Sequence, residues 1–172
     1  MNTPDLILGI DPGSHTCGYA IASRSPEGKV LILECGRIRN HSRDVTKRIR
    51  ALHNGLLDMI KANDLESSHM RIAYECPYSG TGAGSVGRSG LQHVWMAIGM
   101  ILTLPADDFL PLHVATVQSA WGRKRTMDRK TGKEHAIAMA NQTFGLDLEA
   151  DENDTADAVW VAVAAFGKGT CK

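Results

Sequence analysis

The run Leu6-Ile7-Leu8-Gly9-Ile10 is closed by Asp11 and then by Pro12, Gly13 and Ser14. An apolar run that ends on Pro-Gly predicts a buried strand followed by a tight turn. A carboxylate at the tip of such a strand costs free energy unless a donor or a cation compensates it. This demand constrains the chain more than any other feature, because the fold must bring something to Asp11. Taken alone, Asp11 also reads as an ordinary turn residue, so the rest of the chain has to decide.

The pattern downstream predicts where partners can come from. Residues 18–23 and 30–35 read as hairpin partners of the first strand, with Pro26-Glu27-Gly28 between them. From about 43 to 62, Val45, Ile49, Leu52, Leu56, Leu57 and Ile60 recur at helical spacing, with Ser42 as the expected N-cap. Residues 70–76 form another strand, ended by Pro77. A Gly- and Ser-rich loop is expected over 79–90, because such a stretch cannot pack a core of its own. A largely apolar helix over 91–104 follows, read either as core or as a subunit interface. A strand is expected at 112–117, a helix at about 132–143 and a last helix from near 153 to 166. A meander of three strands followed by alternating helices and strands predicts a mixed α/β sheet covered by helices.

Length and composition narrow the class. At 172 residues with 43% hydrophobic content, residues 1–172 are expected to form a single domain with a sizeable core. The longest largely apolar stretch, 94–104, is too short to cross a bilayer, and the opening residues lack a secretory pattern. A cytoplasmic protein is the expectation. Cys17, Cys35, Cys76 and Cys171 are widely spaced and read as reduced thiols rather than zinc ligands.

The formal net charge of zero conceals an uneven distribution. Arg37, Arg39, Arg43, Lys47, Arg48 and Arg50 stand against Asp44 alone, and Arg123, Lys124, Arg125, Arg129, Lys130 and Lys133 against Asp128 alone. Acids gather late, at Asp147, Glu149, Asp151, Glu152, Asp154 and Asp157. Two basic stretches and one acidic stretch suit a protein that holds a polyanion and also binds cations; solvated helix faces are the plainer alternative for each.

Asp11 then acquires company. Glu75 ends the strand "RIAYECP", and Asp154 and Asp157 lie three apart at the start of the last helix, hence on one face. If the first and fourth strands are neighbours, Asp11 and Glu75 are adjacent. Capping and the helix dipole offer a plainer role for the pair on the helix. Carboxylates gathered in this way repel one another unless they bind hard cations, and an oxygen-only donor set points to Mg²⁺ or Mn²⁺. Two such ions can activate a water and stabilise the leaving oxygen of a phosphodiester.

"GIDPGSHTCGYAI", "YECPY" and "DTADA", in this order over 6–166, resemble the RuvC family of Holliday-junction resolvases, within the RNase H-like superfamily. The resemblance implies an RNase H-like α/β fold, with a mixed five-stranded sheet flanked by helices. It implies a metal-dependent, structure-selective DNA endonuclease that resolves four-way junctions by paired symmetric nicks, leaving 5′-phosphate and 3′-hydroxyl ends. The implied cofactor is Mg²⁺, two ions per active site, with Mn²⁺ able to substitute. Asp11, Glu75, Asp154 and Asp157 become the metal-binding catalytic acids. Tyr78 becomes an aromatic wedge against bases near the crossover, or else a tyrosine packed at a loop root. The implied partner is branched DNA, chiefly four-way junctions, bound by a homodimer with no membrane association.

The chain also departs from the family. Gln118 or Ser119 stands where the family carries a Lys after the fifth strand, so Arg123 or Lys124 is expected to take over the phosphate contact, with Lys133 nearer the centre. Arg88 reads as a phosphate contact or a loop cap, and Trp121 as a core anchor. These departures and the neutral charge mark a divergent member, of phage type or otherwise specialised. A broader nuclease for forks, flaps or RNA–DNA hybrids and a non-catalytic junction-binding module are the rival readings. An actin-like ATPase is disfavoured, because it needs two such domains.

Overall fold

The computed structural model describes residues 6–65, 70–76, 88–124 and 126–167, with the side chains of 88–91 left aside. Its strands are β1 (Leu6–Asp11), β2 (Thr16–Arg24), β3 (Val30–Arg39), β4 (Met70–Cys76) and β5 (Asp108–His113). Its helices are α1 (Val45–Ala62), α2 (Arg88–Ile101), α3 (Val114–Ala120), α4 (Arg129–Phe144) and α5 (Asn153–Gly167). The strands form one sheet in the order β3-β2-β1-β4-β5. The β1–β2 and β2–β3 pairs are antiparallel, and the β1–β4 and β4–β5 pairs are parallel. The sheet is therefore mixed and five-stranded, as expected.

Alternation along β1 builds two cores. Ile7 belongs to the apolar cluster on the α5 side, and Leu8 and Ile10 to the cluster on the α1–α2 side. Helix α5 is apolar almost all round because it lies between the sheet and α3 and α4, with Ala156 and every residue from Ala158 to Val161 buried. The Trp160 indole N–H donates to the Ala136 carbonyl of α4 at 3.0 Å, so its polar atom is satisfied within that layer. Gly9 lets the helix rest on β1: a Cβ there would lie 2.5 Å from the Ala158 carbonyl oxygen.

Four sequence expectations shift. The helix expected at 91–104 is α2 at Arg88–Ile101, so its first turn takes the end of the stretch expected as a loop. The N-cap of α1 is Asp44, whose carboxylate accepts the Lys47 N–H at 3.1 Å, while Ser42 accepts the Asp44 N–H one turn earlier. Both residues can cap, and the chain enters the helix through the Ser42 turn. The strand expected at 112–117 is instead β5 followed by α3. Pro111 is tolerated because β5 is an edge strand, and His113 caps α3 by accepting the Ala115 N–H at 3.2 Å. The β-branched Val114, Thr116 and Val117 invited the strand reading, yet the burial of Val117 fixes a short helix. Helix α4 starts at Arg129, three residues earlier than expected, because Asp128 accepts the Thr131 N–H at 2.9 Å. Tyr78 and most of the glycine-rich loop lie outside the described residues.

Candidate active site

The sheet register assembles the acids. Ile10 pairs with Tyr74, so Asp11 and Glu75 follow side by side at the ends of two parallel neighbours. Ile7 and Ala73 face α5, and the two-residue period puts Asp11 and Glu75 on that same face. Gly18, the partner of Asp11 on β2, lies against the main chain of Asp154. The start of α5 therefore comes down beside Asp11, with Asp157 one turn further on. The four predicted acids thus come from three separate parts of the chain to one end of the sheet.

Their electrostatics bear the mark of crowding. Asp11 is pushed well above the usual carboxylate range, first by burial and then by the charges of Asp157, Glu75 and Asp154, with Lys133 pulling the other way. Burial, followed by Asp157, raises Glu75 to about 7. Asp157 is raised to about 6, chiefly by burial; Lys133 opposes the shift, Asp154 adds to it, and Arg123 and Arg129 oppose it. None of the four carboxylates accepts a hydrogen bond or forms an ion pair with another described residue.

A metal ion fits this donor set on two counts: the donors are all carboxylate oxygens, and none of them is satisfied by a hydrogen bond or ion pair within the described residues. Among the described residues, no three acidic, histidine or cysteine side chains converge closely enough to grip an ion. The two observations agree, because like charges raise one another's pKa values over distances longer than a coordination bond.

A cleft beside the acids is lined by Glu75 and Asp157 together with Arg123, Arg129 and Lys133. Val117 and the buried Trp121 also line it, and the Trp121 ring stands 5.8 Å from that of His135. Trp121 is thus a core anchor that also lines the cleft. Gln118, which with Ser119 was a candidate for the position where the family carries a Lys, lines the same cleft. Lys133 is the one cation of the cleft whose charge acts on both Asp11 and Asp157. Lys124 is exposed and outside the cleft. Arg88 begins α2, and Tyr78 lies outside the described residues.

Sequence reading missed Arg129 as a site residue. The signal was present: Arg129 and Lys133 are four apart, which places them on one face of a helix, but the helix was expected to start too late to include Arg129.

With this geometry in view, the comparisons are specific. A family model described as crossover junction endodeoxyribonuclease RuvC matches residues 7–165. The proteins of that name from Moorella thermoacetica and Campylobacter jejuni (strain 81116) are 28% and 31% identical to this chain, over 159 and 160 residues. The alignments cover 92% of this chain and 89% of the Moorella protein, and 91% of this chain and 92% of the Campylobacter protein. Among solved structures, T. thermophilus RuvC in complex with a Holliday junction substrate superposes with a TM-score of 0.69 at 18% identity, covering 94% of this chain and 93% of that one. The yeast mitochondrial Holliday junction resolvase Ydc2 gives 0.62 at 17% identity, covering 96% and 79%. Both structural matches bear on the fold, which is the RNase H-like one.

Proposed function

The chain belongs to the RuvC family of crossover junction endodeoxyribonucleases, which are metal-dependent, and from that premise we propose that it resolves four-way DNA junctions by paired symmetric nicks. The observation that carries the reading is the meeting of Asp11, Glu75 and the α5 acids beside a cleft lined by three cations. Asp11, Glu75, Asp154 and Asp157 are proposed to hold two Mg²⁺ ions, with Mn²⁺ as a working substitute. When bound, these ions supply a polarised water and neutralise charge on the phosphodiester.

The chain's own groups do the remainder. Lys133 and Arg123 hold the non-bridging oxygens of the scissile phosphate, and Arg129 extends that grip along the strand. Val117 and Trp121 exclude bulk water from the part of the cleft they line, which strengthens the charge interactions there. Lys124 meets a phosphate further out, Arg88 contacts the backbone at the entry to α2, and Tyr78 wedges against bases at the crossover. In-line attack leaves a 5′-phosphate and a 3′-hydroxyl. A homodimer gives each of the two symmetric strands its own site. Trp95, Met96 and Leu102 of the α2 region are large apolar side chains left exposed, which suits a second copy on that face. Residues 1–172 are proposed to act as a single nuclease domain, in the cytoplasm. No helix among the described residues is long and apolar enough to cross a membrane.

The test is a panel of labelled substrates: a four-way junction, a Y-fork, a nicked duplex, an RNA–DNA hybrid and plain duplex, each with Mg²⁺ or chelator. Paired symmetric nicks in the junction, lost in chelator, are expected. Equal cutting of the fork or hybrid would make the protein a broader nuclease. Tight junction binding with no cutting of any substrate would make it a binding module.

A further inference from the structure

The start of α5 is tied down from the far edge of the sheet. Asp11 pairs with Gly18 and Gly18 with Arg37, so one rung of the sheet runs from the acids to the edge strand β3. Helix α5 meets that rung at Gly18, where a Cβ would overlap the Asp154 carbonyl oxygen. Just before this contact, Arg37 takes hold of the chain. Its guanidinium donates to the Asp151 carbonyl at 2.6 Å and to the Asp151 carboxylate at 3.0 Å, with the Glu152 carboxylate 3.8 Å away. Arg39 donates to the same Asp151 carboxylate at 3.2 Å. Glu152 carries the hold into the helix: its carbonyl accepts the Ala156 N–H at 3.0 Å, and its carboxylate accepts the Glu149 N–H at 3.0 Å.

We infer that Arg37, supported by Arg39, is a positioning residue: it fixes residues 151–152 and thereby sets where Asp154 and Asp157 stand relative to Asp11 and Glu75. The inference rests on the reading of these acids as the cleavage centre. Arg37 contacts Asp151 and Glu152, Arg39 contacts Asp151, and neither hydrogen-bonds nor ion-pairs with the four acids, so any effect on the reaction passes through the helix start. An exposed ion pair ordinarily contributes little to a fold. Arg37 differs in two ways: its side chain is only 17% exposed, and it grips a main-chain carbonyl and a carboxylate together. Consistent with that grip, Asp151 is held below the usual carboxylate range by hydrogen bonds from Arg39 and Arg37.

The experiment compares the wild type with Arg37→Met, Asp151→Ala and the double variant. Three quantities are read: the Mg²⁺ concentration at which thermal melting shifts, single-turnover cleavage of a four-way junction, and junction affinity in chelator. For Arg37→Met the Mg²⁺ midpoint rises about tenfold and the cleavage rate falls about tenfold, because small misplacements of reacting groups are costly. Junction affinity in chelator stays within about twofold, since the contacts to phosphate are untouched. Asp151→Ala shifts the same quantities in the same direction by about threefold, and the double variant is no worse than Arg37→Met alone. Arg37→Lys, which keeps the charge and loses the fork, recovers only part of the rate.

If the variants change only the melting temperature in chelator and leave the Mg²⁺ midpoint and rate as in the wild type, the clamp is structural and the inference is wrong. Should Arg37→Met fail to fold, Asp151→Ala decides, because Asp151 is 61% exposed and its loss spares the core. A wild type that neither responds to Mg²⁺ nor cuts a junction overturns the reading of the centre together with the clamp, whereas an active wild type with unaffected variants overturns the clamp alone.

Discussion

Residues 37–50 and 123–133 each carry six lysines and arginines against one aspartate, and the fold uses them in opposite ways. In the first stretch, Arg37 and Arg39 are taken up by Asp151. Arg48 is 3% exposed and donates to the carbonyls of Ser14 and Ser42, pinning the turn after Asp11 to the entry of α1. In the second stretch, Arg123, Arg129 and Lys133 form no ion pair with any described residue and line one cleft with Glu75 and Asp157. The difference lies in what is within reach. A guanidinium that finds main-chain carbonyls or an acid on its own side of the sheet is spent on holding the chain in place. One that lines a cleft with acids without pairing to them remains available to a phosphate.

The sharpest test of this division is Lys133→Met. Because Lys133 acts on both Asp11 and Asp157, its loss should lower the single-turnover cleavage rate about a hundredfold. The melting temperature should hardly change. Arg48→Met should do the reverse. Leaving two carbonyls without their donor costs about 2–4 kcal/mol, read as a fall in melting temperature of roughly 5–15 °C, with cleavage per folded molecule within about threefold of wild type. If Arg48→Met instead spares stability and removes cleavage, the division between the stretches fails.

How much of this was readable beforehand follows from the physics of each part. The strand of Asp11, the strand of Glu75 and the helix of Asp154 and Asp157 were legible, because apolar runs with fixed periods mark buried elements and an acid at their ends stands out. The meeting of the acids depended on β1 and β4 being neighbours, a long-range pairing that local pattern only permits. The fates of Arg37 and Arg48 were not legible, since their partners are Asp151 and two main-chain carbonyls distant in sequence or silent in it. Arg129 was lost because Asp128 starts α4 three residues earlier than expected. The strand expected at 112–117 failed because β-branched residues there are held in a helix by packing.

A smaller effect concerns pH. Burial and the other acids raise Glu75 to about 7 and also raise Asp11 and Asp157, so the folded protein keeps protons that the unfolded chain has released. In chelator, stability should therefore be higher at pH 5 than at pH 8, falling as pH rises from the ordinary carboxylate range through about 7. Thermal melts should show this slope, and Mg²⁺ should flatten it by compensating the charge. A chelated protein more stable at pH 8 would contradict the crowding of these acids. The smallest effect belongs to Lys124, exposed beside the cleft. Lys124→Ala should leave the rate within about twofold and reduce the slope of log affinity against log salt by about one. A hundredfold loss of rate there would move the edge of the centre outward.

The measurement that bears most directly on the account is single-turnover cleavage of a four-way junction by Asp11→Asn, with junction affinity measured in chelator alongside. The account predicts a loss of cleavage of about a thousandfold or more in Mg²⁺, with affinity equal to or better than wild type, because one charge of a crowded acidic cluster has gone. Cleavage within tenfold of wild type would mean that the carboxylate at the end of β1 is not at the centre of the reaction.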